Sequence, residues 1–197
     1  MRTLPIAITM FVLAATPAWA QSRKIDLRTS EGVKAVQGAW KYHDVKLVEI
    51  DSKAPDGSPN KTYSVEPKAG VAKFDDSSWE TIAPETLKDR RSTGKVCFCW
   101  YRIKITLPEG VEGKKVEFFT TVDDYGEVWV DGQLPRKVGQ AGGNIVAGFN
   151  VPNHVELKDP KPGKSYEVAI FGINGPISAE PGNYIFLGPT YLEIIDP

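Results

Sequence analysis

The sequence contains little of what marks a helical, metal-rich or disulfide-linked protein. Only two of its 197 residues are cysteine, two are histidine and two are methionine, and both methionines fall within the first ten residues. Apolar residues at helical spacing are scarce. One segment, SEGVKAVQGAW, could form a short helix that Ser30 caps, although its two glycines disfavour one. We therefore expect at most short helical turns.

The sequence also lacks an excess of charge of one sign. Its net charge is −1, and acidic and basic residues are interspersed without a basic stripe. This pattern disfavours a nucleic-acid partner. After the first twenty residues, no apolar run is long enough to cross a bilayer, so we expect no membrane partner.

The first twenty residues have the three parts of a secretory signal peptide. Met1-Arg2 is a positive start, residues 4–15 are mostly apolar, and Ala18-Trp19-Ala20 is a small-residue cleavage motif. We predict a signal peptide over 1–20 and a mature chain that is periplasmic or secreted. Without an internal repeat or linker, residues 21–197 form one predicted domain.

The remaining chain alternates with a period of two residues, which is typical of half-buried strands. The pattern predicts inward side chains at alternate positions of CWYRIKITL, KVEFFTTV and EVWVDG, with a turn at Asp131-Gly132. YEVAIFGIN, TYLEII and WKYHDVKLVEI also read as strands. Two long loops are expected, at 51–71 and 135–153. Many short strands between turn signals predict an all-β sandwich of the jelly-roll type.

Cys97 and Cys99 lie two residues apart on a predicted strand. That spacing is near the outer limit for a disulfide, so we predict two buried cysteines that do not bridge each other. A strained or intermolecular disulfide and a metal site are the alternatives.

The order of FDDSSWETI, WYRIKITLPEGVEGKKVEFFTTVDDYGEVWVDGQ and YEVAIFGING resembles the galactose-binding-like jelly roll of family 2 glycoside hydrolases, where it serves as a sugar-binding domain. Over nearly the whole mature chain, the sequence also looks like the amino-terminal extension of exported gluconolactonase-like proteins. In those proteins a six-bladed propeller follows and carries the chemistry. Because this sequence has no propeller, lactonase activity is not implied.

Two neighbouring carboxylates, Asp123 and Asp124, followed by Tyr125, end a predicted strand. Like charges at this spacing repel unless a cation or a ligand relieves them. Arg90-Arg91 could supply the positive charge, or calcium could bind there; no other cofactor is expected. The alternative is a strand-end turn in which each aspartate caps local backbone.

Further candidates are less specific. His43, between Tyr42 and Asp44, could act as a general base or could be an ordinary strand residue. Trp100 and Trp129 could stack on sugar rings or could form a second core layer under a long loop. Three amide side chains in glycine-rich loops could orient a polyol or cap turns: Gln140, Asn144 and Asn174.

These features support three functional hypotheses. The first is an exported module that binds a small molecule or carbohydrate. The second is an accessory domain that packs against a separately encoded enzyme. The third is an enzyme with an acid/base site in the loops, for which the candidate catalytic residues are His43, Asp123, Asp124 and Tyr125, with Arg90 beside them.

Overall fold

The computed structural model describes residues 22–91, 97–135, 145–147, 151–175 and 184–197. The predicted signal peptide lies outside these residues. The described residues form strands and two short helices, which are β1 (Ser22–Asp26), α1 (Ser30–Ala35), β2 (Trp40–Asp44), β3 (Lys46–Lys53), β4 (Pro59–Glu66), β5 (Glu80–Ile82), a 3-10 helix (Pro84–Lys88), β6 (Cys97–Thr106), β7 (Lys115–Val122), β8 (Tyr125–Val130), β9 (Ile145–Ala147), β10 (Pro152–Glu156), β11 (Ser165–Asn174) and β12 (Leu187–Ile195).

The strands form two antiparallel sheets and a separate two-stranded ribbon. One sheet has four strands in the order β1-β12-β7-β10, and the other has six in the order β5-β2-β6-β11-β8-β9. Strands β3 and β4 pair only with each other. The predicted all-β sandwich with short helical turns is confirmed.

The core lies between the two sheets and follows the predicted alternation. On β6 the buried inner positions include Cys99, Tyr101, Ile103 and Ile105, which face Phe118 and other residues of the four-stranded sheet. Below we call the side of each sheet that faces this core its inner face. Burying apolar side chains at every second position stabilises both sheets at once.

A second apolar cluster covers the outer face of the six-stranded sheet. The chain after β4 lies against this face, where Ala69 and Trp79 pack on Trp100 and Phe171. Arg102 is buried in this layer, and its Nε donates to Asp76 Oδ2 at 2.8 Å. The ion pair supplies the partner that a buried guanidinium requires.

Three local predictions need correction. WKYHDVKLVEI is not one strand: the Val45 backbone N–H still donates to the Phe98 carbonyl at 2.8 Å, but the chain then leaves the sheet. Residues 51–71, which were predicted to form a loop, belong mostly to the β3–β4 ribbon. That prediction was wrong because the alternation in Lys46–Lys53 was assigned to the preceding strand. The cap of α1 is Thr29, whose Oγ1 accepts from Gly32 N at 3.0 Å, not Ser30.

The sandwich has two ends that differ in character. At the loop end, β6 begins at Cys97, β7 ends at Val122, β8 begins at Tyr125 and β11 ends at Asn174. At the opposite end, which we call the turn end, Asp131 and Gly132 form the predicted tight turn with φ angles of 49° and 75°.

Candidate functional site

Asp123 and Asp124 carry the chain from one sheet to the other at the loop end. They are the whole connection between β7, in the four-stranded sheet, and β8, in the six-stranded sheet. The peptide bond between them is cis. Gly126 permits this close crossing, because a Cβ there would lie 2.7 Å from the Val122 side chain. The strand ends at this pair because the chain changes sheets.

The end of β11 contacts both carboxyl groups. Asn174 Nδ2 donates to Asp123 Oδ2 at 3.4 Å, and the Gly175 backbone N–H donates to Asp124 Oδ2 at 3.1 Å. Asn174 Nδ2 also donates to the Tyr184 carbonyl. The predicted site residue Asn174 therefore lies beside the aspartate pair, as part of the same hydrogen-bonded group.

The pKa of Asp123 is raised from 3.8 to about 6. Burial is the main cause, and the Asp124 carboxylate adds to it through its charge and a hydrogen bond. The positive charge of Arg90 acts in the opposite direction on this pKa. Below about pH 6 the Asp123 carboxyl group therefore carries a proton and can donate as well as accept a hydrogen bond.

Of the two predicted arginines, Arg90 is the one whose charge acts on Asp123. Its guanidinium lies 5.8 Å from the ring centroid of Tyr184, the residue whose carbonyl accepts from Asn174. The structure thus brings together Asp123, Asp124, Asn174 and Arg90, all of which were predicted site residues.

Arg91 belongs to a neighbouring cluster on the inner face of the loop end. Its backbone pairs with Ile185, and its guanidinium lies 4.7 Å from the Tyr42 ring centroid. Its Nη1 donates to the Glu80 carboxylate at 3.2 Å. The Tyr42 hydroxyl donates to Asp44 Oδ1 at 2.6 Å.

Tyr42 is buried, and its pKa is raised, first by burial and then by the neighbouring Cys99 and Asp44. Its hydroxyl therefore keeps its proton. Tyr42 supports the inner face at the loop end and does not offer an exposed ring for stacking.

Cys97 and Cys99 are both buried on the inner face of β6 and form no disulfide, in agreement with the prediction. Burial raises the pKa of the Cys99 thiol well above its usual range, and the nearby Asp44 carboxylate adds to this effect. The Cys99 thiol is therefore neutral and poorly reactive.

His43 and Tyr125 do not share a face with the aspartates. His43 is exposed on the outer side of β2, with its ring centroid 5.0 Å from that of Trp79. Tyr125 lies in the outer apolar cluster, and its hydroxyl donates to Glu127 Oε1 at 2.7 Å. The contacts described for these two side chains thus lie on the outer face, and their catalytic roles stay predictions.

The two tryptophans lie in the outer cluster. Trp100 is buried, and its Nε1 donates to the Pro67 carbonyl at 2.8 Å. Trp129 packs against Gly70, and its Nε1 donates to Glu127 Oε2 at 3.2 Å. This packing corresponds to the second core layer and leaves little ring surface for a sugar. Two other predicted ligand residues, Gln140 and Asn144, lie outside the described residues.

Calcium stays a prediction. It usually takes six to eight oxygen ligands. Within the described part of the chain, no group of three or more His, Cys, Asp or Glu side chains converges as a metal site would require. Asp123 and Asp124 alone would need further oxygen donors, so no step below depends on a metal.

Sequence reasoning missed Tyr101 and Glu80 as residues of the loop end. Tyr101 was assigned to the core, which is where its ring lies, but its hydroxyl is a buried polar group at this end. The available signal in the sequence was that Tyr101 follows two cysteines at the start of a run of alternating, inward-facing residues. Nothing in the sequence linked Glu80 to Arg91.

No protein-family model matches this sequence, and no curated protein matches it significantly. Among the described residues, no helix combines the length and apolar character needed to cross a bilayer.

Comparison with solved structures shows the fold. The chain is similar to β-glucuronidase 2 of Bacteroides uniformis, with a TM-score of 0.52 and 16% identity, over 90% of this chain and 18% of that one. It is also similar to a glycosyl hydrolase family 2 member from Bacteroides cellulosilyticus, with a TM-score of 0.52 and 13% identity, over 88% of this chain and 20% of that one. The chain thus spans about a fifth of each protein's length. At this identity the likeness confirms the expected β-sandwich fold alone.

Proposed function

We propose that the protein is an exported β-sandwich module that binds a carbohydrate or a similar small polyol at its loop end. The observation that carries this proposal is the group formed by Asp123, Asp124 and Asn174 with Arg90 beside it. Carboxyl and amide groups together donate to and accept from sugar hydroxyls. The fold, which occurs in family 2 glycoside hydrolases, agrees with a carbohydrate ligand without identifying it.

Titration calorimetry with methyl glucoside, methyl galactoside and methyl glucuronide tests the proposal. The wild type is expected to bind at least one of them. Asp124→Asn keeps an oxygen that can accept from Gly175, so it should fold normally while its Kd rises. Loss of a hydrogen bond to a charged group is worth about 1.5–3 kcal/mol, which is about 10- to 150-fold in Kd.

Asp56→Asn is the matched control. Asp56 caps an exposed turn of the β3–β4 ribbon, where its Oδ1 accepts from Ser58 N at 2.9 Å. This variant should bind like the wild type. The proposal is wrong if no glycoside binds, or if Asp56→Asn and Asp124→Asn weaken binding equally.

A second candidate function is acid–base catalysis at the same place. The raised pKa of Asp123, about 6, favours it, because a carboxyl group that exchanges a proton near pH 6 can act as general acid or base. We expect any hydrolysis of p-nitrophenyl glycosides to follow a pH profile with a limb near 6 and to be lost in Asp123→Asn. Turnover that Asp123→Asn retains would contradict catalysis by this pair.

A third candidate role, packing on a separately encoded enzyme, is favoured by the β3–β4 ribbon. Leu47 is 51% exposed and Tyr63 is 69% exposed on the same side of it. Exposed apolar side chains grouped in this way are typical of contact surfaces. Replacing both by serine should abolish binding to such an enzyme and leave glycoside binding unchanged. Equal loss of both activities would contradict a separate contact surface.

A further inference from the structure

Two hydrogen-bond donors on the inner face of the loop end have no acceptor within the described part of the chain. They are Tyr101 Oη and Arg91 Nε, and both atoms are buried. The Tyr101 side chain is fully buried, and that of Arg91 is 17% exposed. A buried donor without an acceptor destabilises the folded state, because its hydrogen bonds to water are lost and not replaced. A ligand bound at this cluster would supply the acceptors that these two donors lack among the described residues.

Both donors belong to groups that pack on the Tyr42 ring. The Arg91 guanidinium carbon lies 4.7 Å from the Tyr42 ring centroid, and the Tyr101 ring centroid lies 5.0 Å from it. The Tyr42 hydroxyl points to Asp44, which is exposed at the end of β2. The cluster thus runs from the fully buried Tyr101 hydroxyl, past the Tyr42 ring, to the exposed Asp44 carboxylate.

The charges around these donors select a neutral ligand group. The Arg91 charge is already paired with Glu80 at 3.2 Å. Asp44 adds a further negative charge beside Tyr42, and burial keeps Tyr101 and Cys99 protonated because it raises the pKa of each. An anion would therefore meet the Asp44 carboxylate beside an arginine, Arg91, whose charge Glu80 already balances. A hydroxyl can accept from Tyr101 or Arg91 and donate to Asp44.

We propose that the inner face of the loop end is a subsite for one neutral hydroxyl group of the ligand, held by Tyr101 Oη and Arg91 Nε and donating toward Asp44. The subsite deepens the proposed carbohydrate-binding function and rests on it. Ligand binding would satisfy the two donors that the unbound protein leaves without an acceptor.

The first test compares Tyr101→Phe with Tyr166→Phe by thermal unfolding. Tyr166 is also a fully buried inner-face tyrosine, but its hydroxyl donates to the Lys158 carbonyl at 2.8 Å. Tyr166→Phe should lower Tm by about 2–4 °C, the usual effect of one lost hydrogen bond in a domain of this size. Tyr101→Phe should leave Tm unchanged or raise it. An equal fall in both variants would overturn the proposal, because an internal water or another group would already satisfy Tyr101.

The second test soaks crystals with glycerol, as a small neutral polyol, and with acetate, as a small anion. We expect a glycerol hydroxyl at roughly 3 Å from Tyr101 Oη and Arg91 Nε. We expect no acetate there, and loss of the glycerol in Tyr101→Phe but not in Tyr166→Phe. An ordered water that glycerol does not displace, glycerol confined to the outer surface, or equal occupancy in Tyr101→Phe would each overturn the proposal.

Glycoside binding separates failure of this subsite from failure of the proposed function. In Tyr101→Phe, the Kd of a bound methyl glycoside should rise about five- to tenfold, the effect of one neutral hydrogen bond. If the wild type binds a glycoside and Tyr101→Phe binds it equally well, the subsite is wrong and the proposed function stands. If no glycoside binds while glycerol occupies the cluster, the proposed carbohydrate ligand is wrong and the cluster is a polyol site of another kind.

Discussion

The two ends of the sandwich differ in whether the described part of the chain supplies hydrogen-bond partners for their buried polar groups. At the turn end, the Tyr166 hydroxyl donates to the Lys158 carbonyl at 2.8 Å. Lys164 Nζ donates to the same carbonyl at 2.7 Å, and Asp131 Oδ1 accepts from the Glu167 N–H at 2.8 Å. Each of these bonds stabilises a turn or a strand end, so these three polar groups have their partners within the folded chain.

The loop end contains polar groups that folding does not explain. Asp123 lies beside a second carboxylate with its pKa raised, and Tyr101 Oη has no acceptor among the described residues. Both features lower the stability of the unbound protein. Such costs are typical of ligand sites, where the partner relieves them. This difference supports the proposal that the ligand binds at the loop end.

The largest expected effect is the dependence of stability on Asp123 ionisation. Its pKa is about 6 when folded and 3.8 in the reference state, so the folded protein binds more protons between these values. Stability from this group is fully present below about pH 4 and is lost as pH rises through 6. The difference between these two pKa values would be worth about 3 kcal/mol in a fully buried group, and because solvent screens this partly exposed carboxyl we expect about 2 kcal/mol or less.

Urea unfolding of Asp123→Asn between pH 4 and pH 8 measures this effect. The variant should be more stable than the wild type at pH 8 and should lose the decline between pH 4 and pH 6. Asp131→Asn, at the turn end, keeps its acceptor oxygen and should retain that decline. If Asp123→Asn and the wild type show the same pH dependence, the two ends do not differ in the way proposed.

The next effect concerns Asn174, which links the aspartate pair to the Tyr184 carbonyl. Asn174→Ala removes both bonds and leaves two half-buried acceptors without this donor, so the free energy of unfolding should fall by about 1 kcal/mol. Asn153→Ala would be a poor control, because that side chain is buried at the same end. Thr106→Ala at the turn end removes an exposed bond to Ser165, and its effect should stay below about 0.5 kcal/mol. Equal effects of the two substitutions would contradict a structural link through Asn174.

Much of the fold could be predicted because alternation reports which side of a strand is buried. The inner positions of β6 and β7 were predicted correctly. The ribbon was not, since whether Lys46–Lys53 continues β2 or pairs with Pro59–Glu66 depends on contacts made far along the chain. Asp123, Asp124, Arg90 and Asn174 lie together, and a ligand site there stays a prediction. His43 lies on the outer side of β2, because side chains alternate between the two faces of a strand.

The two cysteines give the smallest expected effect. Both are buried, so a thiol reagent should modify neither in the native protein and both after denaturation without reductant. Fast reaction of either thiol in the native state would show that the inner face of the loop end is open to solvent without a ligand, which would weaken the contrast with the turn end.

The most direct test of the account is a titration of ¹⁵N-labelled protein with the methyl glycoside that binds best in calorimetry. The account predicts amide shifts grouped at the loop end, at Asp44, Asp124, Asn174 and Gly175, with the turn-end amides of Asp131 and Lys164 unchanged. Shifts grouped at the turn end or on the β3–β4 ribbon, with the loop-end amides unmoved at saturation, would contradict the claim that the loop end is the ligand site.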